Sequence, residues 1–193
     1  MRTMIIAAVV ALLWCAGERS SGVPIKKKKP KPANLLVNGS FEDGPEPGKF
    51  VPLDKGSTAI KGWTVTRAQI DYIGTFWKAA DGKRSIDLHG SPGYGGVEQT
   101  FATRKGQLYR VTFSLACTPG TGEKKVAVRA AGKKGEFRCN GSKATPEKMG
   151  WKTHTWFFKA VADKTTLEIH TLETTDPEQG PALDNVSVMV VEK

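Results

Sequence analysis

Histidine is scarce in this 193-residue chain, which has only His89, His154 and His170. The three stand far apart, without metal-ligand spacing. No H-E-x-x-H segment, G-x-S-x-G elbow or phosphate-cradling loop occurs. The glycine-rich stretch 90–96 (GSPGYGG) has neither a Lys-Ser/Thr ending nor a helix after it, so it reads as a loop. With no nucleophile–base pair in view, the chain reads as a non-enzyme. Long hydrophobic runs are also missing, and none reaches the ~20 residues of a membrane-spanning helix. Helical patterning is absent too: no stretch keeps an apolar helical period over three turns. Cysteine is rare, with three in all.

The one apolar run comes first. Arg2 precedes an apolar stretch over 5–16, which turns polar at Glu18, Arg19, Ser20 and Ser21. This is the pattern of a secretory signal, read here over residues 1–22 with a cut near Gly17 or Gly22. Cys15 is not read as a lipid-anchored cysteine, because Trp14 stands where a small residue is needed. The chain is therefore expected outside the cell, secreted or at the cell surface, with no transmembrane segment once processed. Two cysteines then remain, Cys117 and Cys139. An even number in an oxidising compartment predicts a disulfide, against the alternative of two buried thiols.

Charge is uneven along the chain. The formal net charge is +10, yet from Ala33 onward 22 basic residues face 18 acidic ones. Much of the excess lies in residues 23–33, a Lys/Pro-rich linker holding Lys26, Lys27, Lys28, Lys29 and Lys31. Proline and like-charge repulsion keep such a segment extended and solvated. It reads first as a spacer and second as an electrostatic tether to an acidic polymer. A basic tail on a nearly balanced body argues against nucleic acid as partner, since that would want basic residues grouped on the folded face.

Residues 34–193 read as one all-β domain. Short runs rich in Val, Ile, Thr and aromatics recur between Gly, Pro and Asp. Predicted strands fall at 35–38, 62–66, 69–73, 84–89, 96–101, 108–116, 125–130, 136–139, 152–160, 165–172 and 183–191. In 84–89, Ile86 and Leu88 share one face, while Ser85, Asp87 and His89 share the other. In 108–116, Val111, Phe113 and Leu115 oppose Arg110, Thr112 and Ser114. Such alternation predicts one buried face and one wet or half-wet face. Many short strands with regular turns predict a jelly-roll β-sandwich of two antiparallel sheets.

An ordered set of motifs adds a resemblance. It begins with Asn34-Leu35-Leu36-Val37-Asn38-Gly39-Ser40-Phe41-Glu42 and Gly62-Trp63. It continues with Gln69-Ile70-Asp71-Tyr72-Ile73 and Arg84-Ser85-Ile86-Asp87-Leu88. It then runs through Gly96-Val97-Glu98-Gln99-Thr100-Phe101 and closes on Pro181-Ala182-Leu183-Asp184-Asn185-Val186. Together these resemble the domain-of-unknown-function 642 family, whose bacterial branch is called choice-of-anchor C and whose plant branch consists of cell-wall proteins. The resemblance implies a galactose-binding-like jelly roll akin to carbohydrate-binding modules, with a role at the cell wall or in the extracellular matrix. It also implies a structural calcium ion at Glu42, Asp184 and Ser40, joining the first motif to the last. The alternative is that Glu42 and Asp184 cap turns, since calcium wants six to eight oxygens.

A sugar site needs flat rings for C–H faces and polar side chains for hydroxyls. The candidates are Trp77, Tyr72, Tyr94, Trp151 and Phe76, with Asp71, Asp87, His89 and Arg67. Trp77 leads, because Phe76-Trp77 follows Gly74 in a predicted loop. Trp63, Trp156 and Phe158 read as core, and Trp151 has the alternative of a loop wedge. Paired carboxylates could meet in space, Asp71 with Asp87 for instance. The leading reading is a module that binds extracellular polysaccharide, acidic glycans included. A domain that holds a cell-wall protein partner is second, and a polysaccharide-degrading enzyme third.

Overall fold

The computed structural model describes residues 33–192 except Pro177. The signal reading (1–22) and all but the last residue of the linker (23–33) lie outside these described residues. Among the described residues no helix forms, so none is long and apolar enough to cross a membrane. The strands are β1 (Phe50–Leu53), β2 (Thr64–Thr66), β3 (Ile70–Ile73), β4 (Ser85–Asp87), β5 (His89–Gly90), β6 (Gly93–Tyr94) and β7 (Gly96–Ala102). They continue with β8 (Leu108–Cys117), β9 (Glu123–Ala130), β10 (Lys133–Asn140), β11 (Lys152–Lys159), β12 (Lys164–Thr171) and β13 (Pro181–Val190). One sheet has the order β1-β3-β4-β13-β8-β11 and the other β10-β9-β12-β7-β2, while β5 and β6 make a small hairpin. The pairings are antiparallel. The last strand lies between β4 and β8, so the sandwich is not a simple meander.

Alternation puts the core between the sheets. Val111, Phe113 and Leu115 of β8 face inward together with Val126 and Val128 of β9 and Leu167 and Ile169 of β12. Phe41, Trp63, Tyr72, Phe113 and Phe158 are the largest wholly buried side chains. Full burial of such groups contributes ~1.5–3 kcal/mol each. A bulge in β13 between Asp184 and Ser187 resets its register against β8. Asn185 absorbs it at φ 49°, a left-handed conformation that asparagine tolerates. The bulge lets Leu183, Val186 and Val188 all reach the core.

Two local expectations need correcting. Residues 35–38 do not form a strand. Leu35 N–H donates to the Val188 carbonyl, while the next two amides are met by side chains: Leu36 N–H by Asn34 Oδ1 and Val37 N–H by Gln99 Oε1. Asn34 also accepts from Val188 N–H and donates to the Val186 carbonyl, which ties the first motif to the last strand without a ladder. Conversely, β1 was not foreshadowed. Pro52 sits within it and weakens the strand signal, and β1 accordingly lies at the sheet edge, where a missing N–H is tolerated.

The disulfide forms. Cys117 at the end of β8 joins Cys139 on β10, with Cα atoms 5.6 Å apart, and so links the two sheets. The cysteines are 22 residues apart in sequence. Closing a loop of that length restricts the unfolded chain by roughly 3 kcal/mol. A Cys117→Ser/Cys139→Ser double variant is expected to lose about that much in urea denaturation. An unchanged midpoint would mean the bridge adds nothing that packing does not already supply.

Candidate functional site

The outer face of the six-stranded sheet is not the wet face that alternation predicts. Ser85 is 1% exposed, Asp87 3% and His89 0%. Loops cover this face. The segment after β3 lays Trp77 over Ile73, Ala116 and Ala182, and Met149 joins it from the segment before β11. The Trp77 indole N–H donates to Ser85 Oγ at 2.9 Å, which fixes the ring. Beside this roof lies a cleft of about 320 Å³.

The cleft is built from cross-strand neighbours. Asp71 on β3 is paired with Asp87 on β4, and Ile73 on β3 with Phe50 on β1. Asp87 is tightly held: its Oδ1 accepts from His89 N–H and its Oδ2 from the Thr118 hydroxyl. Burial, helped by the neighbouring Asp71 charge, pushes its carboxyl up to about 7. Asp71 Oδ2 accepts from Ser91 Oγ at 2.8 Å, whereas its Oδ1 is buried without a partner. Burial raises the Asp71 carboxyl as well. The rim carries two exposed rings, Phe50 at 39% and Phe76 at 43%. Their centroids are 5.6 Å apart at 70°, and Phe76 also touches Trp77. Thr118, Glu178 and Gln179 close the far side from the loops after β8 and before β13.

The sequence-derived candidates divide sharply. Asp71, Asp87 and Trp77 come together here, and Phe76 supplies the exposed ring that Trp77 was expected to be. Trp77 itself is 4% exposed and serves as roof and wall. Tyr72 is not in the cleft. It follows Asp71 in a strand and so points the other way, into the core, where its hydroxyl donates to the Phe41 carbonyl at 2.6 Å. His89 is a core histidine. Its Nδ1–H donates to the Asp176 carbonyl, its Nε2 lies 2.9 Å from the Thr171 hydroxyl, and burial lowers its pKa. Tyr94 packs edge-on against His89 in the β5–β6 hairpin. Arg67 follows β2 and turns to the other sheet, forked onto Glu168 of β12. Trp151 is a half-buried wedge packed against the Trp77 cluster, its indole N–H donating to the Lys78 carbonyl, and it does not line the cleft. Phe50, Ser91, Thr118 and Gln179 were not foreshadowed, and no local pattern in the sequence singles them out.

Glu42, Asp184 and Ser40 do converge, but around one loop. Glu42 Oε1 accepts from the Lys83 and Arg84 amides, and Asp184 Oδ2 from the Ala80 and Asp81 amides. Asp184 Oδ1 takes its own neighbour's amide, and Ser40 donates to Asp81. Burial pushes the Asp184 carboxyl up to about 7. Gly82 is required inside this clamp: its φ is +65°, and a Cβ there would lie 2.4 Å from the Glu42 carboxyl. This donor set does not fit calcium. The cation wants six to eight oxygens, and here five amide hydrogens point at the carboxylates. Among the described residues no group of three or more His, Cys, Asp or Glu gathers as metal ligands.

The fold is that of the jelly-roll sandwiches found among carbohydrate-binding modules. The module TmCBM61, solved in complex with β-1,4-galactotriose, matches with a TM-score of 0.52 and 16% identity, over 82% of this chain and 99% of that one. The tandem CBM22-1–CBM22-2 domain of Paenibacillus barcinonensis Xyn10C matches at 0.53 and 15% identity, over 86% and 48%. The arabinose-bound α-L-arabinofuranosidase MgGH51 matches at 0.53 and 14% identity, over 82% of this chain and 26% of that enzyme. Residues 34–189 match the family described as "Protein of unknown function (DUF642)", and the chain belongs to that family. Halomucin of Haloquadratum walsbyi (strain DSM 16790 / HBSQ001) is 31% identical over 191 residues, which cover 96% of this chain and 2% of halomucin. The Arabidopsis thaliana protein DUF642 L-galactono-1,4-lactone-responsive gene 2 is 28% identical over 163 residues, 80% of this chain and 42% of its own. The chain thus spans less than half the length of these curated relatives.

Proposed function

We propose that this chain is a secreted or surface-held, non-catalytic module that binds extracellular polysaccharide through the cleft beside Trp77. One observation carries the reading. Exposed rings of Phe50 and Phe76 stand over buried acids, and one acid oxygen, Asp71 Oδ1, lacks a partner. A buried unpaired acceptor costs ~1–3 kcal/mol, and a small turn of the Asp71 carboxyl would bring it to a ligand hydroxyl or amine. The rings would take a sugar's C–H face, while Ser91 and Gln179 would take further hydroxyls. A volume of about 320 Å³ falls at the small end of ligand pockets. The sugar complexes of the structural neighbours lend support at the level of fold alone.

Catalysis is disfavoured by position. Asp71 and Asp87 project from adjacent strands on one wall. Glycoside hydrolysis needs two carboxyls flanking the bond from opposite sides. Export is supported by the signal pattern and by the disulfide.

Phe76→Ala tests the reading. Titration against a panel of neutral and acidic polysaccharides should show binding about tenfold weaker, ~1.4 kcal/mol. Stability should stay within about 1 kcal/mol, because the ring is largely exposed. Binding that ignores Phe76 would place the glycan elsewhere. Absence of binding to every glycan would favour a protein-binding domain. That reading has its own observation: Leu108 and Phe157 are 41% and 49% exposed on the paired strands β8 and β11 at the sheet edge.

A further inference from the structure

The charge of the cleft is one-sided. Asp71, Asp87 and Glu178 line it, and no Lys, Arg or His does among the described residues. Two of these acids are directly opposite each other across β3 and β4. Side chains so placed start about 5 Å apart, and like charges there are destabilising. Nothing basic from the protein relieves them. Asp87 is satisfied by His89 N–H and Thr118, so the open valence is the buried, unpartnered Asp71 Oδ1. Asp71 is 5% exposed and lines the cleft, so its carboxyl borders the space a ligand can enter, with Oδ1 itself enclosed behind that edge.

A uronate or sulfated sugar would bring a second negative charge to this wall. A neutral hydroxyl would fill the hydrogen bond but do nothing to favour ionisation of the acid pair, whose carboxyls burial raises. An ammonium group does both, since it donates up to three hydrogen bonds and carries the missing charge. Aromatic faces favour a cation as well, and Phe50 and Phe76 stand at the rim.

We propose that the cleft selects a sugar bearing a free amine, a hexosamine unit of a polysaccharide, with its ammonium on Asp71 and its ring on Phe76. The inference rests on the glycan-binding reading above and gives that site its ligand class. It also separates the cleft from the Lys-rich segment, whose charge suits the opposite kind of polymer.

The test is a matched series on the purified full chain. β-1,4-linked tetramers of glucosamine, N-acetylglucosamine and glucose differ only at C2. The monosaccharides galactosamine and galactose repeat the comparison on a second ring. The amine member of each set should bind at least tenfold tighter than its neutral partner. That advantage should shrink with added salt and vanish in Asp71→Asn. If neutral members bind as well as the amines, the hexosamine inference fails while the polysaccharide reading stands. If amines bind but Asp71→Asn changes nothing, the ammonium lies elsewhere and the inference fails. If neither these sugars nor any glycan of the wider panel binds, both readings fall together.

Discussion

Asp87→Asn should flatten the pH dependence of stability between pH 4 and pH 8. Urea denaturation of variant and parent should differ by an amount that drifts by on the order of 4 kcal/mol across that window. The folded-state carboxyl sits at about 7, against 3.8 for its ordinary value. About three units at ~1.4 kcal/mol each give that figure. Because the folded pKa is the higher one, the folded chain keeps a proton between pH 4 and pH 7 that the unfolded chain has lost. The contribution of Asp87 is therefore fully present below pH 4, declines as pH rises towards 7, and is flat above. An amide cannot titrate, yet it can still accept from His89 N–H and donate to Thr118. At alkaline pH the variant should thus be the more stable protein. Other shifted groups move the parent profile too, and those away from Asp87 cancel in the difference. Asp71, also raised by burial, sits beside Asp87 and is eased when the Asp87 charge is removed. Asp184, also raised to about 7, acts in the same direction. His170, lowered to about 4 by burial, acts in reverse and loses its contribution as pH falls below 6.5. Parallel profiles for the two proteins would show that Asp87 ionises in the folded state as an ordinary aspartate does.

Trp77→Ala should cost both stability and binding. Removing a buried indole costs ~3–5 kcal/mol, which in a domain of this size is roughly 10 °C of melting temperature. The loss is local in origin. Trp77 is the piece of the loop that packs on Ile73, Ala116 and Ala182, and without it the sheet face beneath is opened to water. Trp77→Phe should recover most of the packing and forfeit only the bond to Ser85. The contrast with Phe76→Ala is the informative part, because that neighbour should lose affinity with little change in melting. A Trp77→Ala protein that melts within 2 °C of the parent would show that the loop is held by other contacts.

The sequence by itself determined the fold class and which side chains share a face. Period-two alternation has a local cause, the pleat, so Val111, Phe113 and Leu115 could be assigned to one side without knowing their partners. The same rule set Asp87 apart from Ile86 and Leu88, but that Asp71 stands opposite it on the next strand is a matter of register, which the structure supplies. An even cysteine count similarly foretold the bridge between Cys117 and Cys139. Alternation cannot say whether the second face stays wet. That depends on where distant loops fall, and the segments carrying Trp77 and Met149 come from opposite sides of the same sheet. Their landing covered Ser85, turned Trp77 from platform to roof and left Phe76 exposed, while the segment before β13, with Asp176 and Gly180, packs on Asp87 and His89. Tyr72 was read as a platform from its ring alone, beside Asp71 as a polar partner, although adjacent strand residues face opposite ways. The clamp of Glu42 and Asp184 on residues 80–84 was hidden for a further reason. Carboxylates that hold backbone amides look, in sequence, the same as carboxylates that would hold a cation, and only the tertiary structure shows which partner stands within reach.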